Sequence, residues 1–299
     1  TATITSTTAE TVTVTAAIGG TDVTETADVS FTATAATVAN STLTASPTSV
    51  VADGTASSTM TLQARDANGN NLSTGGLTVT MTESGSATLS SVVTDNNNGT
   101  YTATITSTTA ETVTVTAAIG GTDVTETATV TFTATAANVA NSTLTASATT
   151  VAADGTASST MTLQVKDANG NNLSTGGLTV TMTASGSATL SSVTDNNDGT
   201  GTYTATIKNT TAEIVTVTAA IGGSNVTDTA DVTFTVTAAT VGNSTLTAST
   251  ATVDADGSTT STITLQAKDA NNNNLSVGGL TVTMTASGSA TLSSVTDNN

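Results

Sequence analysis

The residues best equipped for chemistry in this chain are short runs of Asp and Asn that recur. Asp66-Ala-Asn-Gly-Asn70 returns as Asp167-Ala-Asn-Gly-Asn171, so Asp66, Asn68 and Asn70, then Asp167, Asn169 and Asn171, stand at alternate positions. Neighbouring turns add Asp95, Asp123, Asp195 and Asp198. Hard carboxylate and amide oxygens in such turns are what Ca2+ takes as ligands. The same residue types also bond their own backbone two residues on, forming Asx turns with no ion. Asp66-x-Asn-x-Asn70 lacks the bidentate Glu of an EF-hand loop, and the stretch 133–141 contains no carboxylate that could clamp an ion between repeats. Both readings stay open: the sequence requires no cofactor, and Ca2+ at junctions between repeats is the one it would accommodate.

Catalytic constellations are scarce. The chain has no His and no Cys, which removes most nucleophile–base pairs and most transition-metal sites. Its acidic residues sit in turns and its many Ser and Thr alternate along strands, so the expected role is not enzymatic. With 22 acidic and 4 basic residues the net charge is −18, which repels nucleic acid and anionic membranes. No apolar run is long enough to span a bilayer, so no membrane insertion is expected in this segment. Only Arg65, Lys166, Lys208 and Lys268 offer bonds to a trypsin-like protease, a useful economy outside a cell.

The elements that must position these turns are strands. Met60, Leu62 and Ala64 alternate with Thr59, Thr61 and Gln63, and Leu77, Val79 and Met81 alternate with Thr78, Thr80 and Thr82. Tyr101, Ala103 and Ile105, then Val113, Val115 and Ala117, then Val130, Phe132 and Ala134 continue the pattern. A period of two with Thr on the other face predicts half-buried antiparallel strands. Breaks at Ala52-Asp-Gly54, Asp66–Asn70, Glu83-Ser-Gly85, Asp95–Gly99, Thr108–Glu111 and Gly120–Asp123 are turn chemistry. About seven strands at this spacing predict an all-β immunoglobulin-like sandwich. Because the chain has no Cys and no Trp, its core must be aliphatic, helped by Phe and Tyr.

This unit is repeated. Thr1–Glu10 returns at Thr102–Glu111 and, altered, at Thr204–Glu213, and Asn40-Ser-Thr-Leu returns at Asn141 and Asn243. A period of about 100 residues is one small domain rather than a solenoid repeat. The expected organisation is residues 1–40, the C-terminal part of one module; 41–141 and 142–243, two modules; and 244–299, the N-terminal part of another. Short linkers without Gly or Ser runs predict an extended, semi-rigid rod. Successive loops of a sandwich alternate between its poles. The turns at Asp66–Asn71, Asp95–Asn98 and Gly120–Asp123 should therefore share the pole facing the preceding module. In the next module Asp167, Asn169, Asn171, Asp195, Asp198 and Asn225 are equivalent. Asp53, Glu83 and Glu111 should lie at the opposite pole and face the following module.

The run Asp66-Ala-Asn-Gly-Asn-Asn71, Leu77-Thr-Val-Thr-Met81, Gly85-Ser-Ala-Thr-Leu89, Gly99-Thr-Tyr-Thr-Ala-Thr-Ile105 and Thr112–Gly121 resembles the bacterial Ig-like domain of the invasin/intimin type. The resemblance covers every module, departing where Asn71, Asn172 and Asn274 stand in place of a Pro. It implies a prokaryotic, extracellular or cell-surface stalk of stacked sandwiches. The expected function is a structural shaft or filament extending from or between cells; the alternative is an adhesin whose repeats bind a host or glycan ligand directly. Expected partners are copies of itself or adjacent modules of the same long chain, head to tail. The two part-modules carry complementary strands, so each is expected to be completed by more of a longer chain or by a second copy. Thr-x-Thr ladders also suit an ice-binding face, but sandwich sheets twist and Thr is an ordinary outward strand residue. Sequons at Asn40, Asn71, Asn98, Asn141, Asn172, Asn209, Asn225, Asn243 and Asn274 are what chance gives a chain so rich in Asn, Ser and Thr.

Overall fold

The computed structural model describes residues 1–298, and among them every regular element is a β-strand. Residue 299, the last of the fourth expected segment, lies outside the described residues. Two compact units emerge. The first holds Thr1–Ala136 with Lys166–Ser174, and the second holds Ala137–Val165 with the chain from Thr175 onward.

In the first unit the repeat folds as two sheets. One has the order Thr94–Asp95, Thr100–Thr106, Ser58–Gln63, Thr42–Ser46, all antiparallel, with Thr88–Leu89 also paired on Thr100–Thr106. The other has the order Thr122–Asp123, Thr112–Ile119, Ala128–Thr133, Ser49–Val51, with Val79–Glu83 paired on Thr112–Ile119. The first strand of the repeat is split between the sheets, and its second half, Ser49–Val51, runs parallel to Ala128–Thr133. That crossing ties the beginning of the repeat to its end.

The alternation read from the sequence is what builds the core. Met60, Leu62, Tyr101 and Ile105 point inward from one sheet and pack with Val113, Val115, Val130 and Phe132 from the other. The Thr residues between them face out and pair across strands: Thr82 with Thr116 at 2.8 Å and Thr112 with Thr131 at 3.2 Å. Leu77 precedes the strand Val79–Glu83 rather than lying in it, and Leu77 and Val79 are only partly buried because they flank the sheet edge. The Tyr101 hydroxyl accepts a bond from the Leu77 amide at 3.0 Å, so this buried ring has a polar partner.

The second unit repeats this arrangement. Thr143–Ala146, Ser159–Gln164 and Thr202–Lys208 form one sheet, with Thr189–Leu190 and Thr194–Asp195 on Thr202–Lys208. Thr150–Ala152, Ser224–Thr235, Ile214–Ile221 and Val180–Ala184 form the other. Here the last strand is continuous from Ser224 to Thr235 and absorbs a bulge opposite Thr218–Ala220, where the first unit breaks the strand in two.

The end segments carry fewer strands. Residues 1–40 hold Thr11–Val14 paired with Ala27–Ser30 and the hairpin Ala17–Ile18 with Thr21–Asp22. Beyond residue 243, among the described residues, the strands Thr245–Ala248 and Ile263–Gln266 pair, and Lys268 bridges Asn274. Their inward-pattern residues have no facing sheet, so Leu246 is 63% exposed where the equivalent Leu144 is 3% exposed.

Candidate functional site: the repeated aspartate turn

Local chemistry dictates the turn first. Asp66 Oδ1 accepts the amides of Asn68 and Asn70, each at 2.9 Å, and the Gly69 amide donates to the Asp66 carbonyl at 3.0 Å. The chain reverses through Gly69 at φ 83°, a left-handed value that costs glycine nothing. An Arg65–Asn71 bridge closes the mouth of the loop, and Arg65 Nε donates to Asn71 Oδ1 at 2.9 Å.

The remaining acceptors reach residues far away in sequence. Asp66 Oδ2 accepts the amide of Thr34 at 3.0 Å, and the Asn70 side chain donates to the carbonyl of Thr7 at 2.8 Å while accepting the amide of Ala9 at 3.0 Å. Within the first unit Asp167 does the same with Thr135 at 2.9 Å, and Asn171 with the Thr108 carbonyl at 2.9 Å and the Ala110 amide at 2.8 Å. Asn169 Nδ2 adds a bond to the Ala52 carbonyl at 2.8 Å. In the second unit Asp269 accepts from Thr237, Asn273 bonds Thr210 and Ala212, and Asn271 donates to the Ala153 carbonyl at 2.8 Å. The Asp167 and Asp269 turns therefore each clasp three segments of the preceding repeat, its early turn, its late turn and the linker, whereas the Asp66 turn holds the late turn at Thr7 and Ala9 and the linker at Thr34. The Asn side chain behaves as a peptide group in miniature, presenting a donor and an acceptor side by side.

The three aspartates are buried and their carboxyls titrate low. For Asp66 the Asn70 side chain and then the Thr34 amide hold the charged form far below the usual carboxylate range. Burial pushes Asp167 upward, yet the bonds from Asn171 and Thr135 outweigh it and the net direction is down. Asp269 is lowered to about 2 by the same balance, with bonds from Asn273 and Thr237 overcoming burial. An ionised carboxylate that accepts several N–H bonds is the physical cause in each case.

The other residues singled out from the sequence stand in separate turns. Asp95 Oδ2 accepts the amide of Gly76 at 2.7 Å and its Oδ1 that of Asn97 at 2.8 Å. Asp195 repeats this with Gly177 and Asn197, and Asp198 caps Thr200. Asp123 lies exposed in a hairpin opposite Ala118. Asp66, Asn68 and Asn70 thus come together, as do Asp167, Asn169 and Asn171, whereas Asp95, Asp195 and Asp198 serve their own loops. Among the described residues no three acidic side chains converge as a metal site. The Asp66 oxygens that a cation would need are aimed at N–H donors instead. Of the residues expected opposite, Asp53 caps the amides of Thr55 and Ala56, and Glu111 accepts from Ser86.

The partner of the aspartate, Thr34, Thr135 or Thr237, was not visible as such in the sequence. A signal does exist: each Thr stands 32 residues before its Asp, although the repeat period itself changes. Several sequon amides are engaged in structure. Asn40 Nδ2 donates to the carbonyls of Asp66 and Ala67, and Asn209 is buried against Glu213.

The family model described as Invasin, domain 3 matches at residues 37–135, 138–237 and 240–299. Among solved structures, the chain is similar to the Escherichia coli adhesin FdeC, with 32% identity and a TM-score of 0.56, covering 81% of this chain and 77% of that one. Invasin, described as a bacterial integrin-binding protein, gives 32% identity and a TM-score of 0.51 over 82% of this chain and 48% of its own. InvD of Yersinia pseudotuberculosis gives 27% identity and a TM-score of 0.56, covering 79% and 72%. A search among curated proteins gave no match.

Proposed function

The chain belongs to the invasin domain 3 family of bacterial Ig-like repeats, and from that premise we propose that it is a shaft segment of a surface adhesin. Its work is mechanical: it spaces other parts of an adhesin from the cell without itself binding the target. The observation that carries this reading is the clasp formed by Asp167, Asn169 and Asn171, repeated at Asp269, Asn271 and Asn273. A linker held only at its ends would bend freely, whereas one pinned by a buried carboxylate and a two-point amide has few conformations left. Its partners on this reading are adjoining repeats, met head to tail in the same chain or in another copy, at the bacterial cell surface. The joint operates on N–H donors and needs no cation.

Negative-stain electron microscopy tests the reading. The intact chain should give straight particles with a narrow spread of bend angles. A variant carrying Asn70→Ala, Asn171→Ala and Asn273→Ala should broaden that spread. Equal distributions would remove the clasp as the source of stiffness. Chelation with EDTA should leave the melting temperature unchanged, and a drop reversed by added Ca2+ would overturn the cation-free joint.

A further inference from the structure

The chain's four basic residues do not sit at random. Arg65, Lys166 and Lys268 each stand immediately before the clasp aspartate, and Lys208 stands before Asn209. Every bond open to a Lys/Arg-specific endopeptidase therefore has as its next residue Asp66, Asp167, Asn209 or Asp269, which are 1%, 0%, 4% and 0% exposed. At the three aspartate bonds backbone polar atoms are occupied as well. The amides of Asp66, Asp167 and Asp269 donate to the carbonyls of Asn70, Asn171 and Asn273 at 3.0, 2.9 and 3.0 Å. The carbonyls of Arg65 and Lys268 accept the amides of Thr37 and Thr240, each at 2.7 Å. Lys208 is paired with Thr189 at a strand end, and Asn209 is followed by Thr210, whose carbonyl is held by Asn273.

A protease binds its substrate as an extended segment and needs these same backbone groups and the flanking side chain. We propose that the joints are gated proteolytic sites, at which a trypsin-type endopeptidase hydrolyses the Lys–Asp or Arg–Asp bond only while the clasp is open. The reaction is ordinary peptide hydrolysis: water adds across the C–N bond, leaving a carboxylate on Lys166, for example, and a free amino group on Asp167. Outside these three joints the one further bond of this specificity is Lys208–Asn209, whose Asn209 is buried at a strand end, so the folded chain resists such enzymes and an undocked joint is marked for severing. A cut at Lys166 parts the strand Ser159–Gln164 from the rest of its repeat in sequence, so only sheet pairing keeps the two pieces together. This inference rests on the burial of the bonds and not on the shaft reading.

The test is trypsin digestion of the intact chain at neutral pH, followed by intact-mass analysis. The same chain in denaturant provides the reference, because it contains the same Asp after each basic residue. Folded chain should be cut at least about 100-fold more slowly than the denatured reference, since cleavage tracks the small open population. Asn171→Ala removes the bonds to Thr108 and Ala110 and leaves the aliphatic core untouched. It should speed cleavage at Lys166 by about 10-fold, giving fragments 1–166 and 167–299, with the rates at Arg65 and Lys268 unchanged. Asp167→Asn is the second variant, with circular dichroism to confirm that strands persist. Cleavage of the folded chain at the denatured rate would overturn the proposal. So would acceleration spread equally over all four bonds, which reports global unfolding, or no acceleration at Lys166 in either variant.

Discussion

Asp167 illustrates how much of a joint rests on one carboxylate. Both of its oxygens accept N–H groups, from Asn169 and Asn171 on one side and from Thr135 on the other. Asp167→Asn keeps the shape but turns one acceptor into a donor facing other donors. The expected cost is about 2 kcal/mol, seen as a lower midpoint in urea with an unchanged slope. Titration gives the same residue scale a second readout. Asp269 is lowered to about 2 from an ordinary 3.8, so its contribution is complete above about 4 and is lost as the pH falls towards 2. Joint-dependent stability should therefore be flat from pH 7 to pH 5 and fall below 4, measured by thermal melts across that range. A rise in stability on acidification would contradict the charged clasp. Thr37 is the converse case: its buried hydroxyl has no hydrogen-bond partner. Thr37→Val removes that hydroxyl at nearly constant shape and should raise stability by about 1 kcal/mol in the same urea assay. Asp66–Asn70 was legible as a turn because its bonds are local. Its Thr34 partner was not, because a contact across 32 residues leaves no mark in local spacing.

Strands and turns were legible in unequal measure. Alternation exposed the long strands, since Ser58–Gln63 and Thr112–Ile119 bury every second residue against the opposite sheet. It could not expose Thr88–Leu89, Thr94–Asp95 or Thr122–Asp123, because two residues have no period. Nor could it show that Ser49–Val51 leaves its own sheet to run parallel with Ala128–Thr133. The poles of the sandwich were readable from loop order. The Asp95–Gly99 turn packs on the Asp66 side, where a Cβ on Gly99 would stand 1.9 Å from the Leu72 carbonyl oxygen. This separates two kinds of glycine. Gly99→Ala meets backbone at a φ of 81° and should cost about 3 kcal/mol or more, whereas Gly121→Ala, at φ 82° with open space around it, should cost about 1. Paired urea unfolding curves check the difference, and equal costs would mean that the Asp95 turn can move away from Leu72.

At the scale of the whole chain, burial divides strands of identical sequence into two classes. Thr11-Val-Thr-Val14 and Thr112-Val-Thr-Val115 have the same residues, yet Val14 is 41% exposed and Val115 is fully buried. Propensity is therefore equal, and what differs is the facing sheet together with the flanking strand Val79–Glu83, since Thr11–Val14 lies in a two-stranded sheet. The 0% exposure of Val113 and Val115 comes from Met60, Leu62, Tyr101 and Ile105 across the core. Two paired strands alone are marginal in water, because they cannot bury enough apolar surface to offset the entropy of ordering. Hydrogen exchange should expose that inequality within one molecule. Amides of Thr11–Val14 and of Ile263–Gln266 should exchange at least about 100-fold faster than those of Thr112–Ile119 and Ser159–Gln164. Protection of the Thr11–Val14 strand equal to that of its twin in this 299-residue chain would require a covering layer over Val14, from a second copy or from another part of the same chain. Dilution distinguishes the two cases, since protection borrowed from another molecule falls with concentration while protection from the chain's own core does not.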